Sequence, residues 1–177
     1  MTGKRVLLAA EKGHCFELAQ RIWEDPTLVN YADLDGYTAL HRASYGGHID
    51  CAKFLVRHGA NIEAETNEHW RPLHCAVRWN NVEVAEYLVK QGADINATST
   101  GDNTPLHIVA SNGPYRVTMD IIQLLLYQPN CDCSIKNHAG ETAFDLARRS
   151  GPFSRLWTGV TTIFPHKDGE NLEEQDD

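Results

Sequence analysis

The stretches GYTALHRAS (Gly36–Ser44), WRPLHCAV (Trp70–Val77) and NTPLHIVA (Asn103–Ala110) set Leu40-His41, Leu73-His74 and Leu106-His107 at a spacing of 33 residues. A fixed period of this length marks a stacked-repeat architecture, in which each unit buries its apolar face only against its neighbours. Within one unit the local signals agree. Asp35-Gly36 is a tight-turn dipeptide, and Thr38 stands where a hydroxyl caps the first free amides of a helix. Ala39 to Tyr45 is then expected as a first helix, ended by Gly46-Gly47 because glycine takes the left-handed conformation without penalty. A second helix is expected from Ile49 to His58, where Cys51, Ala52, Leu55 and Val56 form an apolar stripe, and Gly59 closes it.

The next unit repeats this plan. Val84, Ala85, Leu88 and Val89 replace the first stripe, and Pro72 and Pro105 take the first helical position, where a missing N–H costs nothing. In the third unit the register slips: Phe144-Asp145 lies 38 residues beyond Leu106-His107. The sequence places the five extra residues around Pro114 to Thr118, in the turn between the two helices, since insertions in a solenoid map to loops. Upstream, Leu18, Ala19 and Ile22 match Cys51, Ala52 and Leu55 and give a degenerate first unit. Downstream, Gly140 to Ala147 opens a last one, with a second helix expected from about Phe153. Degenerate ends are what a solenoid requires, because terminal units stack on one side only.

The resulting division is a repeat domain over residues 3–164, followed at 165–177 by an acidic tail expected to be disordered. Within the domain, 3–33 is an N-terminal cap, 34–66, 67–99 and 100–137 are repeats, and 138–164 is a C-terminal cap. The net charge of the 177-residue chain is -8, but the ten residues from Asp168 to Asp177 carry six acids and no base. The rest is nearly neutral, a poor footprint for phosphates, so nucleic acid is not expected as a direct partner. The N-terminal apolar run is too short for a signal peptide or a membrane span. The chain is therefore expected to be intracellular, in nucleus or cytoplasm, and its five cysteines to be reduced thiols.

The TPLH register resembles the ankyrin-repeat family over nearly all of residues 5 to 164. That resemblance implies an all-α solenoid of helix-turn-helix units with short β-turn fingers, and a non-enzymatic intracellular adaptor linked to transcription. It also implies that fingertips and the ends of the first helices line a concave binding face. Here those positions supply Asp35, Tyr37 and Tyr45, then Glu68, Trp70, Arg78 and Trp79, then Asp102. Tyrosine, tryptophan and arginine are the types enriched at binding hot spots, so Tyr37, Tyr45, Trp70, Arg78 and Trp79 are the expected anchors. The alternative for each tryptophan is that it merely covers an adjacent turn. Leu88, Asp94-Ile95 and Asn96 further resemble the ankyrin motif modified by the asparaginyl hydroxylase of hypoxia-inducible factor, against the plainer reading of Asn96 as a turn-stabilising residue.

Other chemistries were weighed against the residues. His41, His74 and His107 fall in successive units about 8 to 10 Å apart, too far to share an ion that needs each nitrogen at about 2.1 Å. Each is expected to hydrogen-bond within its own turn, with Thr38 or Thr104 as partner, and His74 to find a backbone partner because Arg71 replaces the threonine. Cys131-x-Cys133 with His138 matches no zinc spacing, and by register both cysteines, like Cys51, are expected as small core residues. No phosphate loop or nucleophile signature is present, so neither enzyme activity, cofactor nor metal is expected. The expected partner is a protein bound by a monomer. The alternatives are a substrate-recruiting ubiquitin-ligase subunit, or a structural protein that dimerises through Phe153, Trp157, Ile163 and Phe164.

Overall fold

The computed structural model describes residues 2–111 and 119–149. Within them the chain is helical, with no strand beyond two isolated bridges, Ala32 to Thr38 and Lys136 to Thr142. The helices are α1 (Thr2–Lys12), α2 (Cys15–Glu24), α3 (Ala39–Gly46), α4 (Ile49–Arg57), α5 (Pro72–Arg78), α6 (Val82–Lys90), α7 (Pro105–Ser111), α8 (Met119–Leu126) and α9 (Ala143–Arg149), with a 3-10 turn over Pro26–Asn30. They form two layers. The inner helices stack in the order α1, α3, α5, α7, α9, and the outer helices in the order α2, α4, α6, α8. One apolar core runs between the layers, from Val6 to Ala147.

The expected stripes are the buried ones: Leu18, Ala19 and Ile22, then Cys51, Ala52 and Leu55, then Val84, Ala85 and Leu88. In α8 the equivalent buried residues are Ile121, Ile122 and Leu125, which lie 37 residues beyond α6, one fewer than the overall slip. Four of the five extra residues therefore fall between α7 and α8, in a segment outside the described residues. The fifth follows α8, in the turn at Gln128–Asn130. This corrects the placement of all five near Pro114, and the physical reason is burial: α8 must turn its stripe inward whatever the loop count.

Two of the three histidines, His41 and His107, carry a connection between units, and His74 makes the equivalent bond to the end of its own unit. The Nδ1 atoms of His41, His74 and His107 accept the backbone N–H of Thr38, Arg71 and Thr104 at 3.1, 3.0 and 3.3 Å. The hydroxyls of Thr38 and Thr104 reach the same nitrogens at 2.9 and 2.8 Å. A backbone N–H can only donate, so Nδ1 is the bare nitrogen and the proton sits on Nε2. From there it is donated forward, to the carbonyls of Trp70, Ala97 and Glu141 at 2.9, 3.0 and 3.1 Å. The intra-turn half of this arrangement was legible in the sequence; the forward bond was not. In the last described unit Asp145 takes the histidine's place and accepts from the Thr142 amide and hydroxyl at 2.9 and 2.8 Å. A carboxylate has no proton to pass on.

A second rail runs through residues 30, 63 and 96. Asn30 donates to the Gly59 carbonyl at 3.0 Å and accepts from the Asn61 amide at 2.8 Å. Asn96 does the same with the Asn130 carbonyl and the Asp132 amide, at 2.7 and 2.9 Å. Glu63 keeps the accepting half, from the Asp94 amide at 3.0 Å. A third set joins the helix-to-helix turns, where His48 bonds to the Glu11 carbonyl and Asn81 to those of Ser44 and Tyr45.

Cys15 and Cys51 are disulfide-bonded, which corrects the expectation of five reduced thiols. Cys15 lies one helical turn before Leu18, on the α2 face that packs on α4, and the two Cα atoms are 5.1 Å apart, within disulfide reach. The bond ties the N-terminal cap to the first repeat. The segment from about Phe153, where a second helix is expected for the C-terminal cap, and the acidic tail lie outside the described residues.

Two measurements follow. Thiol titration of the unfolded, unreduced chain should find three free cysteines, and five after reduction. Reduction should also lower stability by about 4 kcal/mol, the chain-entropy value for a loop of this size. The second concerns pH. Burial lowers the pKa of His41 and His74 to about 4 from an ordinary 6.5. The unfolded chain then binds protons that the folded chain refuses, so stability is complete above pH 6.5 and falls as pH drops toward 4. Urea unfolding at pH 5 should show a loss on the order of 2 kcal/mol per histidine relative to pH 7. A flat profile over that interval would contradict the neutral-imidazole assignment.

Candidate functional site

The fingers are turns spanning 33–37, 66–70, 99–103 and 137–141, each closed by a backbone bond from its first residue to the carbonyl of its last. They are zipped to one another: the amides of Asn67, Thr100 and His138 donate to the carbonyls of Asp35, Glu68 and Gly101, each at 2.9 Å. Asp35 and Glu68 thus spend their backbones on the stack and leave their carboxylates exposed. Asp102 is exposed as well, with His138 Nδ1 at 3.9 Å. The position that is Gly36 in the first finger is His69 in the second and Asp102 in the third, both left-handed at φ 57° and 59°. Such a conformation costs a side chain-bearing residue about 1 kcal/mol or more.

The expected aromatic anchors divide into two groups. Tyr37 is half-buried on the first repeat, with the Arg42 guanidinium 4.6 Å over its ring. Arg42 also pairs with Asp33 at 2.8 Å and Glu11 at 3.6 Å. Burial raises the Tyr37 pKa, partly opposed by Arg42, so its hydroxyl keeps its proton. Burial also pushes the Asp33 carboxyl up, but the Arg42 hydrogen bond and the amides of Tyr37 and Asp35 outweigh it, and the net shift is downward. This group is held by its own ion pairs.

Tyr45 and Trp79 stand together at the ends of α3 and α5, their rings edge to face with centroids 4.8 Å apart. They keep 43% and 39% of their surfaces exposed. The Arg78 guanidinium lies 5.5 Å from the Trp79 ring. Trp79 therefore faces outward, although it occupies the slot of the small Gly46. Trp70 is the more covered tryptophan, packed against the core and tilted over the His74 ring at 6.0 Å.

Arg78 connects this cluster to an open groove of about 320 Å³. The groove is lined by Trp70, Arg78 and Ser99 from the second repeat, Asn103, Ser111 and Asn137 from the third, and Glu141 and Arg149 from the last unit. Glu141 pairs with Arg149 at 3.0 Å. The structure thus brings Trp70, Arg78, Trp79 and Tyr45 to one region and leaves Tyr37, Asp35 and Glu68 elsewhere along the fingers. Sequence reasoning missed Asn137, Glu141 and Arg149, because they lie beyond the point where the register is displaced. Phe153, Trp157, Ile163 and Phe164 of the C-terminal cap lie outside the described residues.

Arg71, the residue that replaces threonine, is engaged by Glu63, Glu65 and Asp94 at 2.6, 3.0 and 3.4 Å. Cys131 and Cys133 are half-buried and pack against the edge of the core, as Ile62 does, whereas Ala60, Ala93 and Ile95 are buried within it. Among the described residues no three His, Cys, Asp or Glu side chains converge as metal ligands. Nor is any described helix long and apolar enough to cross a membrane.

Comparison with known proteins agrees with this geometry. A family model described as ankyrin repeats (3 copies) matches residues 6–99, and one described as ankyrin repeats (many copies) matches 73–126. The chain is 50% identical over 165 residues to ankyrin repeat domain-containing protein 49 of Bos taurus, covering 92% of this chain and 68% of that protein. It is 50% identical over 152 residues to the Homo sapiens protein of the same name, covering 86% and 62%. The chain thus spans about two thirds of the length of these relatives. BCL-6 corepressor-like protein 1 of Homo sapiens is 36% identical over 66 residues, which is 37% of this chain and 4% of that protein.

The two tryptophans should separate on mutation. Trp70→Ala removes a ring packed on the core and should cost about 2 to 3 kcal/mol, below the range for a fully buried ring. Trp79→Ala should cost under about 1.5 kcal/mol, roughly the value of one edge-to-face aromatic pair. Chemical denaturation of both variants measures the difference; equal losses would contradict these placements.

Proposed function

The chain belongs to the ankyrin-repeat family, and from that premise we propose that it is a non-enzymatic adaptor that binds a protein partner on its finger and inner-helix face. One observation carries the reading: a half-exposed Tyr45–Trp79 pair with Arg78 beside it, adjoining a groove walled by Trp70 and Arg78. Aromatic and arginine side chains that keep their rings at the surface, on a scaffold whose backbone is fully committed to stacking, are the common anchors of protein interfaces. The groove offers amides, hydroxyls and charge of both signs, which suits an extended peptide segment with an apolar anchor. It is open along its length and gathers no convergent set of ionisable groups of the kind that acid–base chemistry uses.

A link to transcription and a nuclear setting belong to the same proposal. The support is the similarity of the repeats to a protein named a corepressor-like protein. Modification of Asn96 by an asparaginyl hydroxylase is a further part. The amide of Asn96 bridges two units, so an added hydroxyl would report on a rung of the scaffold. Intact-mass spectrometry after incubation with the enzyme decides it: no gain of one oxygen on the Asn96 peptide rejects the idea.

The adaptor reading is tested by affinity purification from cells with the natural chain and a Tyr45→Ala, Trp79→Ala variant side by side. The variant should keep its fold by circular dichroism and lose the retained partner, with a deficit of tenfold or more, as for paired hot-spot residues each worth about 1 kcal/mol or more. Equal recovery by both proteins would overturn the assignment of this surface.

A further inference from the structure

The five cysteines occupy three environments. Cys15 and Cys51 are bonded to each other. Cys75 is 2% exposed, and burial pushes its thiol up to about 12. Cys131 and Cys133 differ from all of these, because both are free, both are half-exposed, and their sulfurs lie 3.9 Å apart. The loop between them is held in place. The Asp132 amide donates to Asn96 Oδ1 at 2.9 Å, and the Asp132 carboxylate accepts from the Ser134 amide and hydroxyl at 2.9 and 2.6 Å. The sulfurs are therefore presented as a pair by a clamped backbone.

We propose that Cys131 and Cys133 form a two-sulfur site for the soft monovalent ion Cu(I). A thiolate–metal bond is about 2.3 Å long, so two thiolates on one ion lie at most about 4.6 Å apart. The observed separation falls within that limit. The two sulfurs also stand within hydrogen-bond reach of each other, and either thiol can be the donor. Cu(I) would take the place of the two thiol protons. Both thiols lose their protons, two sulfur–metal bonds form, the two protons pass to solvent, and no electron is transferred.

The choice of ion follows from what surrounds the sulfurs. Soft thiolates select Cu(I), zinc or iron–sulfur clusters, and the last two are held by at least three and by four protein ligands respectively. Among the described residues no trio of His, Cys, Asp or Glu converges, the Asp132 carboxylate is committed to Ser134, and the His138 side chain is 89% exposed beside Asp102. A two-coordinate ion is what two isolated sulfurs can satisfy. Its place is also structural, since Asp132 is the forward end of the Asn96 rung.

The test is anaerobic titration of the whole chain, without thiol reductant, with Cu(I) held by bathocuproine disulfonate as the competing chelator. The natural chain should withdraw about one Cu(I), and Cys131→Ser and Cys133→Ser should each withdraw none. Cys75→Ala, folded by circular dichroism, should withdraw as much as the natural chain. X-ray absorption of the loaded chain should show sulfur neighbours alone. Copper left wholly with the chelator by the natural chain overturns the proposal. So does copper retained by a Cys131→Ser, Cys133→Ser double variant, or a first shell of nitrogen or oxygen.

Discussion

A neutral imidazole with two fixed roles is what the stack depends on. At His41, His74 and His107 one ring nitrogen closes the start of its own helix and the other donates to a carbonyl further along the chain, in the following unit for His41 and His107 and at the end of the same unit for His74. The group is buried, so it must be uncharged and must satisfy both nitrogens. A single side chain thereby ties local helix initiation to stacking. At His41 and His107 neither succeeds without the other, because a unit without its neighbour would leave the Nε2–H without its carbonyl. This is a physical source of the mutual dependence of repeats that a one-dimensional stack shows.

The other rails divide the same labour differently. Asn30 and Asn96 both donate and accept, whereas Glu63 in the same position only accepts, and its spare oxygen pairs with Arg71. Arg71 stands where the neighbouring units carry threonine, so two departures from the repeat, eight residues apart, compensate each other across the loop. Asp145 departs in another way. It caps its helix as histidine does, with no donor to send forward, and the relay stops there.

Function is left to the side chains that stacking does not consume. Finger backbones, histidines and asparagines are committed between units, and Arg42 and Arg71 to carboxylates. Of the aromatic residues on the second unit, Trp70 went into the scaffold and Trp79 to the surface. The difference is one of location: residue 70 closes a finger against the inner helices, whereas residue 79 ends α5, where the chain has already left the core.

The sequence by itself determined the period, the helix pairs, the buried stripes of the first three units and the intra-turn partners of the histidines. Those depend on interactions within about ten residues, such as caps, glycine turns and 3.6-residue periodicity, which spacing alone reveals. Only the tertiary structure decided the forward histidine bonds, the Asn–Glu–Asn rail, the Cys15–Cys51 bond, the division of the third-unit insertion around α8 and the outward turn of Trp79. Each joins residues roughly one repeat apart or sets a side chain's direction, and both follow from how units stack, which a linear pattern does not carry.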